Sequence, residues 1–133
     1  MPVDLDGGCL CGDVRYRTSG QPRLVCICHC TSCRRASGGA VVPWASFPQA
    51  AVRIVKGTMV THGSSPGVTR GHCGRCGTSL TYQRSAHEVD ITLASLDNPD
   101  ALTPVMHIWT EDDPAWLVMN DGLPRYPQGS PPD

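Results

Sequence analysis

Between residues 26 and 33 the segment CICHCTSC places Cys26, Cys28, Cys30 and Cys33 within eight positions and sets His29 between two of them. Two further pairs stand apart from it: Cys9 and Cys11 in CLC, and Cys73 and Cys76 in CGRC. These are metal-ligand spacings. A C-x-x-C turn brings both sulfurs to one ion at the usual Zn–S distance of about 2.3 Å. In an extended C-x-C the side chains share one face about 6.6 Å apart, because a strand rises about 3.3 Å per residue. His29, alternating between Cys28 and Cys30, points to the opposite face and is not read as a ligand. Cys26 shares the ligand face but lies about 13 Å along an extended chain from Cys30. It reads as a buried small hydrophobe, with a fourth ligand as the alternative.

With Cys26 set aside, seven thiolates remain. One division is a closed four-sulfur site and a three-sulfur site with a position left for water or substrate, the pattern that separates structural from catalytic zinc. The rival is a single zinc ribbon from Cys30, Cys33, Cys73 and Cys76, which leaves Cys9, Cys11 and Cys28 without a role. Two zinc ions use all seven.

The elements that must hold these residues are short. The 133 residues are one domain by length, 1–133, with a tail from about residue 124 that is Pro-rich and reads as poorly ordered. Only 26 residues are Leu, Ile, Val or Phe, a thin supply for a core, while 14 Gly and 12 Pro argue against long helices. A mainly β fold of short antiparallel strands with little helix is expected. GDVRYRTSG, RLVCICHC, AVVPWASF, VRIVKG, TMVTHG, HEVDITLASL and VMHIWT read as strands, and GVTRGHCGRCGTSLTYQ as a hairpin with the Cys73–Cys76 knuckle at its tip. TSCRRASGG makes about two helical turns, with Thr31 or Ser32 as N-cap and Gly38 or Gly39 as terminator.

The leader MPVDLDGG has neither a basic segment nor an apolar run, and no stretch approaches the roughly 18 to 20 apolar residues that span a bilayer. The expectation is a cytoplasmic protein with no membrane partner, where thiols stay reduced and clustered cysteines ligate metal. A net charge of −1, with ten Arg and one Lys and only the Arg34-Arg35 doublet, supplies no basic stripe, so no nucleic-acid partner is expected.

At these cysteines the sequence resembles the family of glutathione-dependent formaldehyde-activating enzymes, together with the related domain of centromere protein V. The likeness is carried in order by GGCLCGDVRY, CHCTSCRRASG, CGRCGTSLTY, SLDNP, MHIWTEDDPAW and LPRY, over nearly the whole chain. It implies that Cys9, Cys11, Cys73 and Cys76 hold a structural zinc. Cys28, Cys30 and Cys33 would hold a catalytic zinc with an open position. It also implies an Mss4-like fold and a carbon–sulfur lyase activity, in which a small thiol such as glutathione and formaldehyde are joined as, or released from, an S-hydroxymethyl adduct. His72 stands where the family usually carries an aromatic residue such as Phe, and one residue is inserted at Pro114-Ala115-Trp116.

A coordinated thiol is deprotonated outright, so an open zinc suits a substrate sulfur that must attack an aldehyde. Three thiolates leave such a site at net −1, and Arg34 and Arg35 are the nearby cations in sequence. His107 reads as a hydrogen-bonded strand histidine beside Trp109, with a proton-donor role as the alternative. His62 and His87 read as surface, Asp97 as the cap of a turn, and Trp44, Trp109 and Trp116 as core or pocket wall. Two other classes stay open: a zinc-stabilised Mss4-like binding module without catalysis, and a thiol redox protein using Cys30 and Cys33.

Overall fold

The computed structural model describes residues 3–132. Ten strands carry the chain: β1 Leu5–Gly8, β2 Arg15–Thr18, β3 Leu24–Cys28, β4 Val42–Pro48, β5 Val52–Lys56, β6 Met59–Ser65, β7 Val68–Cys73, β8 Ser79–Gln83, β9 Glu88–Thr92 and β10 His107–Ile108. The single α-helix among the described residues, α1, spans Thr31–Ser37. The fold is mainly β, as its turn-rich sequence requires.

Strands β1, β2 and β5 form a three-stranded sheet, and the rest form a seven-stranded sheet ordered β10-β3-β4-β9-β8-β7-β6. All pairings are antiparallel except that of β10 with β3. The core lies between the sheets. Odd-numbered Val25, Ala45, Phe47, Val89 and Ile91 are buried on one face of the larger sheet, and most of them pack with Val14 and Tyr16 of the smaller sheet and its flank. Strand alternation then turns even-numbered Cys26, Cys28 and Trp44 to the other face, where they form a second cluster with Cys33 and Val42. That second face carries the site.

Phe47 is the only Phe in the sequence and is fully buried in the main core. Phe47→Ala should cost about 3–5 kcal/mol, since transfer and cavity contributions add in a thin core. Urea unfolding checks this, and a loss below about 1 kcal/mol would show that the two sheets do not share one core.

Three sequence expectations change here. The side chain that caps α1 is Cys30, whose sulfur accepts from the Cys33 N–H at 3.2 Å, and not Thr31 or Ser32. Gly38 ends the helix as expected, in the left-handed conformation at φ 77°. The segment from 124 was expected to be poorly ordered, yet it runs beside β10: the His107 and Trp109 N–H groups donate to the carbonyls of Pro124 and Gln128 at 2.9 Å, and Tyr126 N–H returns to His107. Proline lacks a donor but keeps its carbonyl, so a Pro-rich strand can still serve as the accepting edge. Trp116 is 72% exposed, neither core nor pocket wall.

Candidate metal centres

The first group is Cys9, Cys11, Cys73 and Cys76, whose sulfurs all lie within 4.8 Å of one another. Cys9 and Cys11 come from the β1–β2 connection and Cys73 and Cys76 from the end of β7 and the turn into β8. The Cys9–Cys11 and Cys11–Cys73 sulfur distances are 3.6 and 3.7 Å. A tetrahedron with Zn–S of about 2.3 Å has edges of about 3.8 Å, so the donors already stand at the spacing a zinc ion would impose. Backbone N–H groups of Val14, Arg75 and Cys76 point at the sulfurs of Cys9, Cys73 and Cys73 at 3.2, 3.3 and 3.4 Å. Such donors favour thiolates. Contact with the Thr78 hydroxyl is the leading cause that holds Cys76 down at about 5.

The second group is Cys28, Cys30 and Cys33, with sulfurs within the same limit. Cys28 ends β3, Cys30 caps α1 and Cys33 lies in its first turn. Close contact drives their ionisation apart. Hydrogen bonding from Cys28 and Cys33 takes Cys30 down to about 2, while proximity to Cys30 and Cys33, with burial, pushes Cys28 well up. Three neighbouring thiols cannot all ionise without a cation among them, and a soft divalent ion suits this all-sulfur donor set. No disulfide joins any of the eight cysteines.

His29 and Cys26 stand outside the group, His29 as strand alternation expects and Cys26 as its distance along the strand expects. Cys26 is buried against Trp44. His29 is fully buried on the other side of the strand, where Nε2 meets His107 Nδ1 at 2.7 Å and Nδ1 pairs with Asp113. His107 Nε2 in turn pairs with Asp121 at 2.8 Å, and Arg125 donates to Asp113 at 2.8 Å. Two buried imidazoles thus tie β3 and β10 to the C-terminal segment behind the cysteine loop. His107 has the structural role of a hydrogen-bonded strand histidine.

The three cysteines line a cavity of about 500 Å³ on the even-numbered face of the large sheet. Its floor includes Leu24, Ser46, Asp90, Tyr82 and Arg70, which are consecutive cross-strand partners on β3, β4, β9, β8 and β7. Trp109 stands at the wall in the left-handed region at φ 59°, an uncommon conformation for a bulky residue, fixed there by its bond to Gln128. Gly129 and Ser130 complete that side.

Neither Arg34 nor Arg35 lines the cavity. α1 turns them away, and the neighbouring cation is Arg70, whose Nη1 and Nη2 both donate to Cys33 Sγ at 3.7 Å while the guanidinium lies 4.9 Å from the Tyr82 ring centroid. Nothing near residue 30 in sequence signals Arg70. β7 delivers it through its pairing with Tyr82 on β8. Asp97 does not cap the following turn, which Asn98 does; its carboxylate receives Arg15 at 2.9 Å. His62 and His87 are exposed, as expected, and His62 and His72 line a second cavity of about 310 Å³ that shares Arg70 and Cys33 with the first.

A family model described as glutathione-dependent formaldehyde-activating enzyme matches residues 4–112. A Halomonas elongata protein, provisionally named as a glutathione-dependent formaldehyde-activating enzyme, is 29% identical over 124 residues, covering 85% of this chain and 79% of its own. A crystal structure of a Rhodobacter sphaeroides protein aligns with a TM-score of 0.60 at 24% identity, over 77% of this chain and 99% of that one. That last likeness speaks for the fold alone. No helix among the described residues is long and apolar enough to cross a membrane.

Proposed function

The chain belongs to the family of glutathione-dependent formaldehyde-activating enzymes, and from that premise we propose that it is a zinc-dependent carbon–sulfur lyase acting on a small thiol such as glutathione. Cys28, Cys30 and Cys33 hold the catalytic zinc, and Cys9, Cys11, Cys73 and Cys76 a structural one. The observation that carries this reading is that one group has four converging sulfurs, whereas the other has three, which open onto a cavity of about 500 Å³. A closed site staples, and an open one receives a ligand.

When bound, zinc supplies a centre that keeps a substrate thiol ionised near neutral pH. The chain's own residues do the rest. Arg70 offsets the negative charge of the thiolates through its two contacts on Cys33. Trp44, Tyr82 and Trp109 give the cavity aromatic surface for the ligand to pack on. In the joining direction the sulfur electron pair forms the C–S bond at the aldehyde carbon. The C=O π pair moves to oxygen, and the proton lost by the thiol is returned there through solvent. Cleavage is the reverse.

Cobalt substitution followed by glutathione titration tests the reading. The visible spectrum of the cobalt-loaded protein should change at millimolar thiol, as a sulfur enters the coordination sphere. An unchanged spectrum would remove the thiol reading and leave a metal-stapled binding module.

A further inference from the structure

The four-sulfur group draws its ligands from two distant segments, whereas Cys28, Cys30 and Cys33 all come from one stretch, residues 28–33. The geometry of the three-cysteine centre therefore depends on what holds that stretch in place. A loop that the metal itself had to order would lose affinity by the conformational entropy of the residues it fixed.

The middle ligand, Cys30, has its neighbours gripped on both sides. Before it, the backbone N–H of His29 donates to the Ile108 carbonyl at 2.9 Å, and the fully buried His29 imidazole is held between the Asp113 carboxylate and His107 Nδ1. After it, the Thr31 N–H donates to Asp112 Oδ2 at 3.1 Å. Two consecutive carboxylates at the turn following β10 thus hold the residues that flank Cys30. Strand alternation allows this, because it points His29 away from the sulfurs of Cys28 and Cys30 and toward that turn. The grip is itself fixed. Arg125 donates to Asp113 Oδ2 at 2.8 Å, and Asp121 receives His107 Nε2 at 2.8 Å. Apolar side chains of like volume would hold β3 on β10 at no greater cost, so what the buried network adds is a fixed orientation.

We infer that His29, His107, Asp112 and Asp113 are positioning residues of the three-cysteine centre: they present the Cys30 sulfur in the place that one ion shared with Cys28 and Cys33 requires, and none of them is a ligand. The inference rests on the reading of those cysteines as a metal site and assigns what preorganises it.

Zinc transfer from the loaded protein to a chromophoric chelator tests it, with the four-sulfur centre of the same molecule as internal control. The wild type should release two ions at separate chelator concentrations. Asp112→Ala should weaken the ion of the three-cysteine centre about 10-fold. His29→Phe, which keeps much of the volume but loses both imidazole bonds, should weaken it about 10- to 100-fold, the range for outer partners of metal ligands. The affinity of the four-sulfur ion should not move. Asp112→Asn should return the first ion to its wild-type affinity, because the amide oxygen still accepts from the Thr31 N–H. Should His29→Phe fail to fold, the two Asp112 variants decide. Variants that leave both affinities at wild type overturn this inference alone. So does equal weakening of both ions, which marks the network as a support of the fold, and so does an Asp112→Asn protein no better than Asp112→Ala. A wild-type protein that holds one ion only overturns the metal reading of Cys28, Cys30 and Cys33, and this inference falls with it.

Discussion

Cys30→Ser should lower the zinc bound per chain by one ion and reduce turnover of the thiol–aldehyde reaction by at least about a thousandfold, while the folded state persists. The size follows from losing the metal's stabilisation of developing charge, which is worth several kcal/mol. The persistence follows from where Cys30 sits. It is half-buried at the N-cap of α1, and its sulfur accepts from the Cys33 N–H. Serine is among the best N-caps, so its oxygen can take over that bond and the helix start survives. Stability measured by thermal unfolding should change by about 1 kcal/mol or less from the capping exchange itself. Metal analysis, circular dichroism and turnover on one preparation check all three. A variant that keeps its full zinc complement, or keeps its turnover, would separate Cys30 from the catalytic centre.

Much of this site was legible in the sequence because it is written in local spacing. C-x-C, C-x-x-C and strand alternation marked Cys28, Cys30 and Cys33 as candidate ligands and turned His29 away from them, while the family resemblance implied their grouping on one ion. The ordered motifs of the family supplied the partner pairs that spacing leaves open, and the structure brings Cys9 and Cys11 to Cys73 and Cys76. What escaped is what depends on register between distant strands. Arg34 and Arg35 are adjacent to the cysteines in sequence, yet a helix of seven residues carries them off the cavity, whereas Arg70 arrives from 37 positions away. Asp90 and Tyr82 become neighbours only through the β8–β9 pairing. The tail was misjudged for a related reason. Proline content describes what a segment cannot donate, and here β10 needed acceptors.

Cys73→Ser should have the opposite profile to Cys30→Ser and remove the folded state. Cys73 is 1% exposed and packs inside the main core, and its sulfur receives two backbone N–H groups and faces Cys11 at 3.7 Å. The four-sulfur group joins the β1–β2 connection of the small sheet to the β7–β8 turn of the large one, a link between residues 62 positions apart. Holding such a long loop closed is an entropic cost that few other contacts here offset, given 26 Leu, Ile, Val and Phe residues in 133. Zinc binding at structural sites of this kind is worth about 10–16 kcal/mol apparent in small domains, as much as or more than the usual domain stability of about 5–15 kcal/mol. Serine binds the ion poorly and leaves a hydroxyl among three thiols in the core. The variant should therefore lack a cooperative thermal transition and its amides should exchange rapidly. Chelation of the wild-type protein should give the same state. A Cys73→Ser protein that melts cooperatively within about 5 °C of wild type, a shift of only about 1–2 kcal/mol, would mean that the two sheets hold together by their apolar faces, and that the four-sulfur centre is secondary to the core between them.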